Sequence, residues 1–399
     1  MTELEERIAE LDACGLGRRT RLVEGPQGPH VVVDGRPALL LCSNNYLGLA
    51  DHPRVRAAAA EAALCWGVGA GAARLVSGTM TVHRELERQL AEFKGRQAAL
   101  LFGSGYLANI GVIAALAGRD QVVFSDELNH ASIIDGCRLS RAEVFVYRHR
   151  DVEHLSWGLE RAGDRAALIV TESVFSMDGD VAPLPGLVEL ARRHGVRLVV
   201  DEAHATGALG PGGRGAVAAA GLSGEVDVLV GTLGKALGSY GAFAACENAM
   251  ARHLTNTART FIFSTAPPVP AIAGAATALA LLQEQPALVD VLQAGAAQLR
   301  RALSLEGFEI GLGNTQIVPL MIGDPSLTMR VCELALERGV FAQAIRPPTV
   351  PRGTSRLRLT VMATHSDEEL RRAARVIGAA ARDCGIELAP LARDLQDAA

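Results

Sequence analysis

The chain has 399 residues, a formal net charge of -5 at pH 7, and is 49% hydrophobic but only 4% aromatic. That length points to two domains with a sizeable core of Ala, Val and Leu packed in helices and parallel strands, and a mildly acidic chain carries no broad basic field for nucleic acid. Seven scattered cysteines without a CxxC pair argue against a disulfide framework or a zinc site and fit a reducing cytoplasm.

The opening stretch MTELEERIAELDACG has the pattern of an acidic amphipathic helix and lacks the basic-then-apolar order of a secretory signal. HVVVDGRPALLL follows, with Asp34-Gly35 as a turn signal. Residues 1–42 are therefore expected to form an N-terminal segment. Short β runs then alternate with helical patterns: AALLF at 98–102, QVVFSD at 121–126, EVFVY at 143–147, ALIVTE at 167–172, RLVVDEAH at 197–204 and DVLVGTLGK at 227–235. Such alternation predicts βαβ units around a mostly parallel sheet, an α/β fold whose ligands bind beyond the carboxyl ends of the strands. The large domain is expected over 43–280 and a smaller α+β domain over 281–399, with strands at IVPLMIG and RLRLTVM. The Ala-rich stretch at 268–304 reads as a long helix; its most apolar part, AIAGAATALALL, is too short to cross a bilayer, so no membrane partner is expected.

Several segments could carry chemistry. LVVDEAHATG ends a strand at Asp201 and sets His204 three residues beyond it, both at the sheet edge where a ligand would lie. DEAH also invites a nucleotide-hydrolase reading, but the GxxxxGK[ST] loop it needs is absent. Only two lysines exist, Lys94 and Lys235. Lys235 lies among small residues after a buried strand, where desolvation would favour the neutral, nucleophilic amine, although a surface loop lysine would also explain it. Lys94 reads as a helix C-terminal cation before Gly95. In LLFGSGYLANIG, Gly103, Gly105 and Ala108 match GxGxxA, and Asp126 ends the next strand. This suits a dinucleotide in an NAD-dependent dehydrogenase, or one phosphate at a helix N-terminus near Gly105 and Tyr106. His130 follows a strand end where its ring could lie on a cofactor, and Ser176 could donate a hydrogen bond or simply shape the turn at Asp178-Gly179.

Taken in order, SNNYLGL, VGAGAARLVSG, SGYLAN, DELNHASIIDG, ESVFSMDGD, DEAHATG, TLGKALG, FIFST and RLRLT make the chain resemble the α-oxoamine synthases, enzymes that use pyridoxal 5'-phosphate (PLP) and have the aspartate-aminotransferase fold. The resemblance implies that Lys235 binds the cofactor's aldehyde, that Asp201 pairs with the pyridine nitrogen and that His130 stacks on the ring. It places His204 and Ser176 near the phenolic oxygen, and Gly105, Tyr106 and Thr232 around the phosphate, which Ser264 and Thr265 reach from a partner subunit. It assigns Arg358 to the amino-acid carboxylate, with Asn44 nearby, and Arg18 and Thr349 to the acyl substrate. The run AIRPPTVPRGTSRLRLT at 344–360 points within the family to an acyltransferase of biotin biosynthesis: a homodimer that condenses L-alanine with a pimeloyl thioester, on CoA or acyl carrier protein, with loss of carbon dioxide. His130 is a candidate proton donor. Another family member, such as 2-amino-3-oxobutyrate CoA ligase, and a silent PLP-binding protein remain alternatives.

Overall fold

A computed structural model describes residues 2–311 and 313–389. The chain forms two compact units: a large one, Leu49–Ser176 with Asp180–Val289, and a small one, Met1–Gly48, Met177–Gly179 and Asp290–Ala399. Residues 1–48 thus share a unit with the C-terminal part of the chain rather than standing apart as a segment.

Strand pairing explains that membership. In the small unit β1 (Val23–Glu24), β2 (His30–Val33) and β3 (Arg36–Leu40) form an antiparallel ribbon. Asp34 and Gly35 both have positive φ, +50° and +77°, the backbone of the tight turn whose twist matches the paired strands.

The large unit holds β4 (Ala98–Phe102), β5 (Val122–Asp126), β6 (Glu143–Tyr147), β7 (Ala166–Glu172), β8 (Arg197–Asp201), β9 (Val228–Thr232) and β10 (Ala242–Cys246), ordered β4-β10-β9-β8-β7-β5-β6. Five of them, β5 to β9, pair in parallel, while β10 runs antiparallel to both β9 and β4. Asp126, Glu172, Asp201, Thr232 and the turn after Phe102 therefore lie along one edge of the sheet. The central strands are buried on both faces, as β8 shows in Leu198, Val199 and Val200, which is why they read as continuous apolar runs.

The C-terminal strands are β11 (Ile317–Gly323), β12 (Val340–Phe341), β13 (Gln343–Ile345) and β14 (Ser355–Thr360). Strand β12 joins β3 in parallel, while β14 lies between β11 and β13. Val31, Val33, Leu40, Leu336, Phe341 and Met362 form the core of this sheet. The expected long Ala-rich helix is two helices, Val269–Glu284 and Ala287–Leu305, because Pro286 cannot donate the hydrogen bond that would continue the first. No described helix is long and apolar enough to cross a membrane.

Lys94 departs from its sequence expectation. It ends the helix Thr81–Lys94 ahead of a left-handed Gly95, yet its side chain is fully buried. Its ammonium donates to Glu202 Oε2 at 2.5 Å, Thr206 Oγ1 at 3.0 Å and the Arg214 carbonyl at 2.6 Å. Glu202 Oε1 in turn accepts the Val217 N–H at 2.8 Å. Only glycine fits at 215, where a Cβ would press on the Glu202 carboxylate. Replacing Lys94 by Ala would strand a buried carboxylate, and we expect a loss of about 3–5 kcal/mol in urea denaturation. Arg54→Ala, which removes an exposed pair with Glu284, is expected to change the unfolding midpoint far less; equal effects would contradict the buried pair's weight.

Candidate active site

Lys235 sits in the loop that connects antiparallel β9 and β10. The loop is pinned from within: Leu233 N–H donates to the Gly241 carbonyl at 2.9 Å, Ser239 N–H to the Leu233 carbonyl at 2.8 Å, and Thr232 Oγ1 to the Gly241 carbonyl at 3.1 Å while accepting the Gly234 N–H at 3.2 Å. Gly238 has φ +59°, and a Cβ there would overlap the backbone of Leu49 and Ala50. Lys235 Nζ lies 2.7 Å from His204 Nε2. The structure thus brings together the lysine and the histidine singled out from two separate motifs.

Asp201 is the last residue of β8 and is buried. Its Oδ1 accepts the Ala203 N–H at 2.7 Å and its Oδ2 accepts Asn109 Nδ2 at 2.6 Å. Directly opposite in the parallel register stands Glu172, buried, with Oε2 accepting the Ser176 N–H at 3.2 Å. Burial first, and then the charge of Asp201, push the Glu172 carboxyl up to about 8, with Lys235 opposing. Glu172 therefore favours its protonated form near neutral pH, beside an Asp201 that is engaged by two hydrogen bonds. His130 caps the helix Ala131–Ser140 by accepting the Ser132 N–H at Nδ1. Although the residue is exposed, desolvation is the largest influence on its pKa and lowers it; Asp201 raises it and Lys235 lowers it further.

At the same edge Ser104 caps the helix Gly105–Leu116, leaving the Gly105 and Tyr106 N–H groups at its open end. A Cβ at Gly105 would meet no atom within 4 Å, so there is room for a phosphate. Tyr106 is partly exposed and its hydroxyl bonds Asp135. Ser176 is buried in the loop closed by the Val174–Val181 bridge. Ser264 and Thr265 lie where Thr265 bridges Ala73. A carboxylate for a protonated ring nitrogen, an imidazole at the same edge, an amine for an aldehyde and a helix N-terminus for a phosphate are the groups PLP requires. The residues of the large unit fit it.

In the small unit Arg358, on β14, is buried and bonds Asn44 Oδ1 through both terminal nitrogens at 3.2 Å and Tyr46 Oη at 3.4 Å. Arg356, two residues away on the same strand, is paired with Asp178. Arg18 reaches Thr349 Oγ1 at 3.5 Å at a cavity of about 370 Å³ whose lining includes Gly17, Arg18, Arg19, Arg21, Arg346 and Thr349.

Sequence reasoning assigned no role to Asn109, Glu172 or His149. Asn109 is a buried amide in an otherwise apolar helix, GYLANIGVIAAL, and that contrast could have revealed it. His149 gave no comparable cue, since RHRD reads as a solvated turn. Its Nδ1 lies 2.9 Å from Asp126 Oδ1 and its Nε2 2.8 Å from Asp180 Oδ2. Asp126 also accepts the Leu128 and Arg150 N–H groups. The acidic residue required by the dinucleotide reading is therefore buried and fully engaged.

A model of the aminotransferase class I and II family matches residues 36–377. The chain is 52% identical to the 8-amino-7-oxononanoate synthase of Geobacter metallireducens, over 96% of this chain and 98% of that protein. It is 48% identical to the enzyme of the same name from Citrifermentans bemidjiense, over 97% and 100%. Among solved structures, serine palmitoyltransferase from S. paucimobilis with a bound PLP–myriocin adduct superposes with a TM-score of 0.92 at 34% identity, covering 97% of this chain and 98% of that one.

His149 supplies a pH test. Burial alone would lower its pKa, but hydrogen bonds and charge attraction from Asp126 and Asp180 outweigh burial and raise it from 6.5 to about 9. The folded state therefore holds this proton more tightly than the unfolded chain does, so the stabilisation is complete below about pH 6.5 and is lost as pH rises through about 9. The stability gap between wild type and His149→Gln should shrink across that window; a gap independent of pH would show that the ring is neutral throughout.

Proposed function

The chain belongs to the aminotransferase class I and II family, and from that premise we propose that it condenses L-alanine with a pimeloyl thioester, on CoA or acyl carrier protein, to give 8-amino-7-oxononanoate for biotin biosynthesis. The observation that carries the reading is Lys235 Nζ at 2.7 Å from His204 Nε2, on the sheet edge that also presents Asp201. The relatives bearing that enzyme's name support the substrates.

PLP supplies an electron sink for negative charge at the alanine Cα. Lys235 would hold the cofactor's aldehyde, and its Nζ, when free, would take the Cα proton. Asp201 would pair with the pyridine nitrogen and favour its protonated form. His204 and Ser176 would attend the phenolic oxygen, His130 would cover the ring, and Gly105, Tyr106 and Thr232 would hold the phosphate. Arg358, steadied by Asn44, grips the alanine carboxylate through paired N–H donors. In the overall reaction the alanine Cα bonds to the thioester carbonyl carbon, the carbon–sulfur bond breaks and the thiol leaves. The alanine carboxylate departs as carbon dioxide and a proton returns to Cα. His130 donates to the acyl carbonyl oxygen. The arginine-lined cavity beside Arg18 and Thr349 suits the far carboxylate of the pimeloyl chain.

The proposal includes a homodimer. Leu64, Val68, Leu75, Val76 and Phe263 are 53–89% exposed, and the Ala73–Thr265 bridge brings Phe263 toward the Leu75–Val76 stretch. Exposed apolar residues of this kind suit an interface, and in such a dimer Ser264 and Thr265 would serve the partner's phosphate site.

PLP-loaded protein given L-alanine and pimeloyl-CoA should form 8-amino-7-oxononanoate, free thiol and carbon dioxide in equal amounts; thiol release with glycine but not with alanine would instead assign it to another α-oxoamine synthase. In the same assay Arg358→Ala should raise the KM for alanine at least about tenfold. Arg356→Ala should raise it less, because that arginine already pairs with Asp178; the reverse order would move the carboxylate clamp to Arg356.

A further inference from the structure

Four side chains of the large unit form a hydrogen-bonded chain. His130 Nδ1 lies 2.8 Å from Ser132 Oγ, Ser132 Oγ lies 2.9 Å from Asn109 Nδ2, and Asn109 Nδ2 lies 2.6 Å from Asp201 Oδ2. Asn109, Ser132 and Asp201 are all buried.

Chemistry gives this chain a direction. An ionised carboxylate can only accept, so Asn109 must turn its NH2 toward Asp201, and the second hydrogen of that NH2 points to Ser132 Oγ. Turning the amide over would press Asn109 Oδ1, which is buried without a described partner, against a carboxylate oxygen. Ser132 Oγ, having accepted from Asn109, gives its own hydrogen to its other neighbour, His130 Nδ1. The Ser132 N–H points to the same nitrogen at 3.2 Å. A ring nitrogen that accepts from two donors carries no proton of its own.

We propose that Asn109 and Ser132 are positioning residues that, oriented by the Asp201 carboxylate, present a hydrogen-bond donor to His130 Nδ1 and hold its imidazole in the Nε2–H form, leaving Nε2 as the nitrogen that donates to substrate. The catalytic part rests on His130 being the proton donor; the tautomer assignment does not. Desolvation, helped by Lys235 and opposed by Asp201, lowers the His130 pKa below its ordinary 6.5 and so favours the neutral ring, the state in which the two tautomers differ. The arrangement also explains why a histidine occupies an N-cap: its Nδ1 must be an acceptor to cap the helix, and the hydrogen-bonded chain enforces the same condition from the other side.

The test uses PLP-loaded protein labelled with ¹⁵N-histidine, with the His130 signals identified among those of the ten histidines by their loss in His130→Gln. Near neutral pH, Nε2 should resonate as a protonated nitrogen and Nδ1 as an unprotonated one. Ser132→Ala removes a donor that must be lost when Nδ1 protonates, so the His130 pKa should rise, by roughly half a unit to one unit for one hydrogen bond. Asn109→Ala should raise it in the same sense, and Ser132→Thr, which keeps the hydroxyl, should restore the original value. A protonated Nδ1 in the unmodified enzyme, or a pKa that falls in Ser132→Ala, would reverse the hydrogen bonds and overturn the proposal. Should the NMR result hold while Ser132→Ala keeps full kcat, the tautomer assignment stands and the role of His130 as proton donor falls.

Discussion

The ammonium of Lys94 against the carboxylate of Glu202, both wholly buried, fixes the chain immediately beyond β8. Removing either partner would leave an uncompensated charge in the interior, so the segment 202–206 has little freedom to move. Asp201 precedes the pair by one residue and His204 follows it by two. Their positions, and through His204 that of the Lys235 amine, are therefore set by an interaction whose own atoms take no part in the chemistry.

The same sheet edge separates the properties of two similar groups. Glu172 and Asp201 end neighbouring parallel strands in direct register, yet their environments differ. Asp201 accepts from a backbone N–H and an amide that hold its carboxylate form, whereas burial and the adjacent charge keep Glu172 protonated up to about pH 8. If Asp201 pairs with the cofactor's ring nitrogen, a protonated Glu172 beside it avoids a second charge that would strengthen the hold on protons throughout the site. The chain through Asn109 and Ser132 turns the orientation set by the Asp201 carboxylate into a donor at His130 Nδ1.

The parallel strands were legible in the sequence because they are rich in β-branched residues and end in chemically distinctive ones. Strand β10, AFAAC, was not, since alanine has little strand preference and only pairing with β9 and β4 makes it a strand. Lys235, Asp201, His204 and His130 were readable as separate motifs and are united by the topology of the sheet. Lys94 misled: a lysine before a helix-ending glycine looks solvated, and its partner lies 108 residues away. Asp126 misled in the opposite direction, matching a dinucleotide pattern while serving as a structural acceptor for His149. In both cases the deciding contact is long-range, and no local pattern encodes it.

The central claim is that Lys235, and not the only other lysine, holds PLP. Borohydride reduction of the PLP-loaded protein followed by peptide mass spectrometry tests it most directly. The account predicts the reduced cofactor on a single peptide, the one containing Lys235, with Lys94 unmodified; label on Lys94, or no covalent cofactor at all, would contradict it.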